Sequence, residues 1–455
     1  MLRTVCDRPT LWEALLPAEA LVMPAELVAV DDLLDDPRFF EPFRRFFDPV
    51  LGRPSIPMET YLRLMFLKYR YRLGYETLCA EVTDSLSWLR FCRIPIGETA
   101  PHPSTLMKIT TRVGPATIEA LNAELIAVAS ERGLVDVSWL RADTTVVPAN
   151  IKYPTDSGLL TKGIAKITTL VGRIQDAGAA DRTSFVDETP AARQAAHRIG
   201  SKLRRRNETA KAEVLAITGE LAVLAETVCE QAKRVLQNAK RMKDRPIKRL
   251  RRMLADLGAA IDAVGQIIAQ TKLRLSGLTP PAATRRVSLH DSDARPIRKG
   301  SLKNPTQFGY TGQVTDNIDG LVLDYEIEPG MPADAPRLAP AVERIITAVG
   351  AIPDAVTADR GYGQSSVDVE LGDLGVDLVA VLRKGKVSAK RHAIETADDF
   401  VELVKWRTGS EGRIAAMKRQ HGWGRTQLAG LTGARIWCGW GVFSHNLTKL
   451  VTLAD

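Results

Sequence analysis

Two stretches in the middle of the chain repeat apolar residues at strict three-four spacing, a pattern that an amphipathic helix satisfies and a strand does not. The first runs Val214, Ile217, Leu221, Leu224, Val228, Gln231, Val235, Asn238, Met242, with seven of nine positions apolar. The second runs Ile247, Leu250, Leu254, Leu257, Ile261, Val264, Ile268, Thr271, Leu275, with eight of nine apolar. Lys243-Asp244-Arg245-Pro246 stands between them. Proline lacks the amide hydrogen that a helix interior needs, so the first helix must stop there. A connector this short makes the two helices antiparallel neighbours. The expected structure is a coiled-coil hairpin over about residues 205–278, turning near Asp244–Pro246.

Charge gathers in the same region. The formal net charge is +8, but residues 191–253 hold 17 Lys and Arg against 6 Asp and Glu, so the remainder of the chain is slightly acidic. Arg241, Lys243, Arg245, Lys248, Arg249, Arg251 and Arg252 cluster at the hairpin end. Such a face is either solvated surface or a grip on a polyanion, and the local excess favours contact with a DNA backbone.

Hydrophobic residues at 45% and charged residues at 25% place the 455-residue chain among globular proteins, with two to four structural units expected. No apolar run reaches the ~20 residues of a membrane helix, and the N-terminus lacks a secretory signal core. The expectation is an intracellular protein. Five scattered cysteines form no C-x-x-C pair, and the six histidines form no H-E-x-x-H motif. A metal would therefore need carboxylate ligands.

Residues 1–50 are acidic, with ten Asp or Glu against five Arg, and suggest a capping or dimer-forming arm. From Met58 to about Arg93 helical periodicity breaks at Gly74 and near Thr83–Asp84, which predicts three short helices. The first places Leu62, Met65, Phe66 and Tyr69 on one stripe and leaves Arg63, Lys68, Arg70 and Arg72 to solvent or phosphate. This region reads either as a small bundle or as a helix-turn-helix-like DNA reader. Ser104 is positioned to cap the helix that follows.

On either side of the helical block the text changes to strands. WLRADTTVV is a β-branched run with Asp143 inside it, although Asp is depleted in strands. GYTGQVTDNIDGLVLDYEIEPG predicts two strands joined through Asn317 to Gly320. A helix follows over roughly Arg337–Val349, then a short strand ending at Asp359, a helix over Ser365–Leu374, the strand DLVAVL, and a helix near Glu411–His421. ARIWCGWGVFSHNLTKL is expected to be helical in its last part. With the helical block removed, this is the element order of the ribonuclease-H-like fold. Such a fold is a mixed sheet flanked by helices, in which two strand-borne aspartates and a late helical carboxylate meet.

WRTGSEGRIAAMKR places Arg407, Glu411 and Lys418 at the spacing of a Tyr, Arg, Glu, Lys signature, with Val404 where the tyrosine would stand. Together with RADTTVVPANIKYPTDSGLL, HDSDARPIRKG, TADRGYG and the segment GRPSIPMETYLRLMFLKYRYRLGYETLCAEV, the chain resembles the DDE transposases of bacterial insertion sequences. The resemblance spans most of the chain except parts of 165–280. It implies that Asp143, Asp359 and Glu411 bind two magnesium ions, for which manganese would substitute. These ions would activate water for cleavage and then a 3′-hydroxyl for strand transfer. Phosphodiester displacement needs such charge relief, and oxygen ligands suit hard ions. Arg407 and Lys418 would clamp DNA phosphates. The implied partners are double-stranded DNA at terminal inverted repeats and target sites, and a second copy in the DNA complex. The implied location is the cytoplasm, at the nucleoid.

Other residues have two readings each. Glu370, Glu395 and Glu402 are rival third ligands without the signature offsets. Asn150, Tyr153 and Asp156 either form a turn or shape a DNA groove, and His290 and Asp291 are structural or near the active centre. Trp423, Trp437 and Trp440 stack on bases or pack in the core. The expected organisation is an arm (1–50), a helical DNA-binding domain (51–130), a first catalytic part (131–160), the helical insertion (161–280) and a second catalytic part (281–455). A nuclease without strand transfer and a non-catalytic DNA-binding relative are the alternatives.

Overall fold

The β-branched run around Asp143 forms β1 (Trp139–Pro148), the first of six strands among the described residues, followed by β2 (Arg295–Arg298), β3 (Thr306–Asn317), β4 (Val322–Pro329), β5 (Ala355–Ala358) and β6 (Leu378–Ala380). The structure is a computed structural model that describes every residue except 7–10, 12–14, 206, 242–247, 299–304 and 455. Lys243, Arg245, the turn Asp244–Pro246 and the last two residues of HDSDARPIRKG thus lie outside the described residues. The chain divides into two compact units. One comprises Met1–Asn150, Tyr310–Glu328 and Pro332–Asp455, and the other Ile151–Gly309 and Pro329–Met331.

In the first unit the strands lie in the order β3, β1, β5, β6, and β4 pairs with β3. β1 runs parallel to β5, and β5 parallel to β6. β3 turns into β4 at the predicted place, where Gly320 N donates to Asn317 O at 3.0 Å and Asn317 Oδ1 accepts from Leu321 N at 2.8 Å. Gly320 adopts a φ of 84°, and a Cβ there would collide with the guanidinium of Arg413. Glycine suits both the left-handed backbone and the close approach. β2 pairs antiparallel with the first residues of β3, Thr306 to Gly309, within the second unit.

Leu140, Ala142, Val356 and Ala358 bury one sheet face against the Leu338–Val349 helix, with Leu338, Val342 and Ile345. The opposite face takes Phe400 and Leu403 of the Asp398–Arg407 helix. A separate helical core joins Ala25–Leu34, Met58–Arg70, Tyr75–Asp84, Leu86–Phe91, Pro103–Glu131 and the continuous C-terminal helix Gly430–Ala454. The three predicted helices of 58–93 are present. His102 rather than Ser104 caps the Pro103–Glu131 helix, its Nδ1 accepting from Ser104 N at 3.2 Å.

Long-range packing overturns one expectation here. Met58–Arg70 is enclosed almost on all sides, so its basic residues are not left to solvent. Arg63 is 0% exposed and pairs with Asp31 and Asp35 at 2.6 Å each, while Arg70 pairs with Glu26 at 2.6 Å. Glu26, Asp31 and Asp35 are thus counter-ions of this helix, and apolar residues of the Ala25–Leu34 helix that carries Glu26 and Asp31 pack into the same core.

The second unit is a helical bundle. Glu208–Lys240 and Lys248–Leu275 pack together, with Gly219 near Leu275 and Gly258 near Leu236, so residue numbers fall on one helix as they rise on the other. The antiparallel pairing follows directly. The seam is not two-stranded, however: Asp156–Asp176 and Thr189–Lys202 bury Leu160, Ile164, Ile167, Val171, Ala192 and Ile199 in the same core. Alanines at 222, 225, 232 and 260 are buried in that core as well. No helix of the described residues is long and apolar enough to cross a membrane.

A pH dependence is built into the first unit. His421 and His445 meet at 5.1 Å between ring centroids, both buried, and burial pushes them down to about 4 and about 3 respectively. Above pH 7 both are neutral folded or unfolded. As pH falls below the unfolded value of about 6.5, the unfolded chain takes up protons that the folded one refuses, and stability declines until the folded values are reached. A urea midpoint series from pH 7 to 4.5 is expected to fall steeply, and His421→Gln/His445→Gln to flatten it. An unchanged slope in that variant would remove the pair as the cause.

Candidate active site

The β1–β5 register aligns Ala142 with Ala358, so the next residues on each strand, Asp143 and Asp359, come out side by side. Parallel neighbours lie about 4.8 Å apart. Alternation along each strand puts Asp143 with Trp139 and Arg141, and Asp359 with Ala355 and Thr357, on the face opposite the Leu338–Val349 helix. Asp143 Oδ1 accepts from Thr144 N at 2.7 Å and Asp359 Oδ1 from Arg360 N at 2.6 Å. Those bonds orient two neighbouring carboxylates, Asp143 midway along β1 and Asp359 just past the end of β5.

Two helices lie on that same face. Trp139 meets Trp406 edge to face at 5.8 Å, and the Arg141 guanidinium lies 4.4 Å over the Trp406 ring. Arg141 Nη1 donates to Trp406 O at 2.9 Å, and its Nε and Nη2 hold Asp316 of β3 at 2.9 and 2.8 Å. Asp316 also accepts from Arg413 Nε at 3.1 Å, and Arg413 stands two residues beyond Glu411 on the Ser410–Gln420 helix. Gly409 allows this approach, since a Cβ there would fall 2.6 Å from Arg141 Nη1. Arg141 is two residues before Asp143 on the same strand face. One buried ion network thus pins the helix bearing Glu411 and Lys418, and the end of the helix bearing Arg407, to the strand bearing Asp143.

Glu411 is exposed in the first turn of its helix, and Arg407 and Lys418 are half-buried. Among the described residues no three His, Cys, Asp or Glu side chains come close enough together to hold one metal ion. The pair Asp143 and Asp359 still offers the hard oxygen donors that magnesium takes, and that ion is commonly held by one or two carboxylates with water and substrate phosphate completing its shell. Val404, at the signature tyrosine position, packs with Phe400 and Leu403 against β5 and β6. Of the rival acids, Glu395 is engaged by Arg391 and by Arg383 N, and Glu370 and Glu402 are exposed.

Asp334 was not singled out by sequence, and a lone Asp in the Pro-rich turn PADAPR has no pattern that could reveal it. Its carboxylate lies against Gly361, where a Cβ would be 2.7 Å from Oδ2. Burial first, and then the neighbouring Asp359 charge, push its carboxyl up, while Arg337 and Thr144 oppose the shift. Tyr362, buried beside Asp334, Asp143 and Asp359, donates to Gln313 at 3.1 Å.

The remaining candidates fall elsewhere. Trp423 and Trp440 are buried in the core, and Trp437 is half-buried with Nε1 donating to Gly422 O at 2.7 Å. Asn150 bonds Gln427 at 3.1 Å. In the second unit Tyr153 stands exposed against Phe308, Asp156 accepts from Arg274 at 2.9 Å, His290 is exposed and Asp291 buried. Arg241, Lys248, Arg249, Arg251 and Arg252 are all exposed at the adjoining ends of the two long helices of that unit.

The fold and this site define a mixed α/β protein with paired carboxylates on neighbouring parallel strands beneath a helix rich in cations. Residues 12–112 match the family model described as a transposase domain (DUF772), a match over less than a quarter of the chain that supports a transposase role. A stretch of 152 residues is 29% identical to a Rhizobium meliloti protein described as "Uncharacterized protein ORF8 in nfe locus", covering 32% of this chain and 73% of that one. No solved structure matches.

Proposed function

We propose that the protein is a DDE-type transposase that cuts the ends of its own insertion sequence and joins them to target DNA. The observation that supports this best is the register placing Asp143 beside Asp359 under the helix that bears Glu411 and Lys418. The strand order β4, β3, β1, β5, β6 agrees with a ribonuclease-H-like core, and the transposase-domain match agrees with the reaction. Magnesium bound there would relieve charge on the attacked phosphate and on the leaving oxygen. Asp143 and Asp359 would hold it, with Glu411 as the third ligand. Arg407 and Lys418 would hold the backbone phosphates in register. The partners are terminal inverted repeats, target duplex and a second copy of the chain, and the reaction would occur at the nucleoid. The test is incubation of the purified chain, with magnesium or manganese, on DNA containing the sequences that flank its gene. Strand breaks at fixed positions and joined products are expected. Absence of both would defeat the proposal.

The exposed cations of the bundle supply sequence-independent affinity in this reading. Converting Lys248, Arg249, Arg251 and Arg252 to Gln is expected to weaken duplex binding and lower the slope of log K against log salt by about 0.9 for each phosphate that is no longer neutralised. Circular dichroism should be unchanged. An unaltered affinity and slope would mean that this surface is merely solvated.

A further inference from the structure

In the first unit, the turn after the Met58–Arg70 helix and the segment after the Ser410–Gln420 helix enclose an open cavity of about 610 Å³. That is within the size range of small-molecule sites. Its charged lining consists of Lys68, Arg72, Lys418 and Arg425, with no Asp or Glu, and its ring walls are Tyr69, Tyr75 and Trp437.

Lys68 is the unusual member. It is 3% exposed, and among the described residues it makes no ion pair. Its Nζ donates to Leu73 O at 3.2 Å and sits 4.5 to 4.8 Å from the rings of Trp437, Tyr75 and Tyr69. Ring faces offset part of the cost of burying an ammonium, but an opposite charge offsets far more. Arg72 and Arg425 add further positive charge around the same space. An anion is the natural complement, and the cavity is far too large and too aromatic for a phosphate alone.

We propose that this cavity binds one unpaired nucleotide of a DNA strand, with its phosphate among Arg72, Arg425 and Lys68 and its base against the rings of Tyr75 and Trp437. A base inside a duplex has both faces covered by its neighbours, so only an unstacked one can enter. The site rests on DNA being the substrate, and it lies on the same helix end as Lys418, which links the N-terminal helical region to the helix bearing Glu411.

The experiment uses the full chain and two fluorescent probes, a blunt duplex and the same duplex with one unpaired 5′-phosphorylated nucleotide, each measured alone, with added inorganic phosphate and with added free nucleoside 5′-monophosphate. The unpaired nucleotide is expected to tighten binding about tenfold over the blunt duplex. Arg72→Gln/Arg425→Gln alters only exposed side chains, and it should erase that advantage while blunt-duplex affinity falls much less. Tyr75→Leu should erase it too. Equal affinity of the wild type for blunt and unpaired ends would overturn the proposal, as would an advantage that survives both variants. Inorganic phosphate that abolishes the advantage at concentrations where free nucleotide does no better would reduce the cavity to an anion site and overturn the base contact. If magnesium-dependent cutting persists while the advantage is missing, only this inference falls; if no probe binds at all, the DNA-processing reading falls with it.

Discussion

Asp143→Asn is expected to leave a folded protein that binds DNA with nearly unchanged affinity and cuts it at least about a thousandfold more slowly in magnesium. The substitution keeps the shape of the side chain, and its amide oxygen can still accept from Thr144 N as Asp143 Oδ1 does at 2.7 Å. What disappears is the negative charge. In the proposed site a divalent ion is held beside a phosphate that repels attack, and losing one anionic ligand removes several kcal/mol of charge stabilisation. Affinity for duplex comes from the cationic surfaces and should hardly change. Asp359→Asn is expected to behave alike, because its strand neighbour occupies the equivalent register position. Asp334→Asn provides the contrast: Asp334 lies beside the pair but is not one of the proposed ligands, so its loss should cost much less. Magnesium-dependent cleavage at wild-type rate by Asp143→Asn would exclude it as a metal ligand.

Asp316→Ala is expected to cost about 3–5 kcal/mol of folding stability, a large share of the total that a domain possesses. Asp316 is 2% exposed and is paired with both Arg141 and Arg413. Removing it leaves two guanidinium groups facing each other in the protein interior, Arg141 nearly enclosed. The effect should not stop at stability. Arg141 holds Trp406, and Arg413 is part of the helix that bears Glu411, so cleavage should fall even where the variant remains folded. A double change to Arg141→Met/Asp316→Leu removes both charges and should be less destabilising than the single one, although Arg413 then loses its acceptor. Urea unfolding followed by tryptophan fluorescence reads the comparison. Equal midpoints for wild type and Asp316→Ala would show that the network is not what anchors these helices.

The limits of sequence reading show in particular residues. The three-four spacing of 214–238 and 250–275 announced two antiparallel helices, and Asn317–Gly320 announced a hairpin, because periodicity and turn chemistry are local properties of the chain. The same logic put a strand at Asp143 and another ending at Asp359. Nothing local said that the helices of 156–176 and 189–202 would complete the bundle. Their apolar faces show a need for partners without naming them.

Arg63 and Lys68 show the same gap at the level of single residues. Side chains read as free for phosphate lie inside the protein, one neutralised by Asp31 and Asp35 and the other enclosed by three rings. Arg141 finds Asp316 across 175 residues, and Asp334 approaches the paired carboxylates from a turn with no motif. By itself, then, the sequence determined which segments are helices and strands, where the hairpin turns, and that one acid stands inside a strand and another at a strand's end. Only the tertiary structure decided which cations are spent on internal ion pairs, which acids share a face, and which helices join one core. The physical reason is that backbone preference and amphipathic period act over a few residues. Desolvation and Coulomb attraction depend instead on whatever the fold brings within a few ångströms, however distant along the chain.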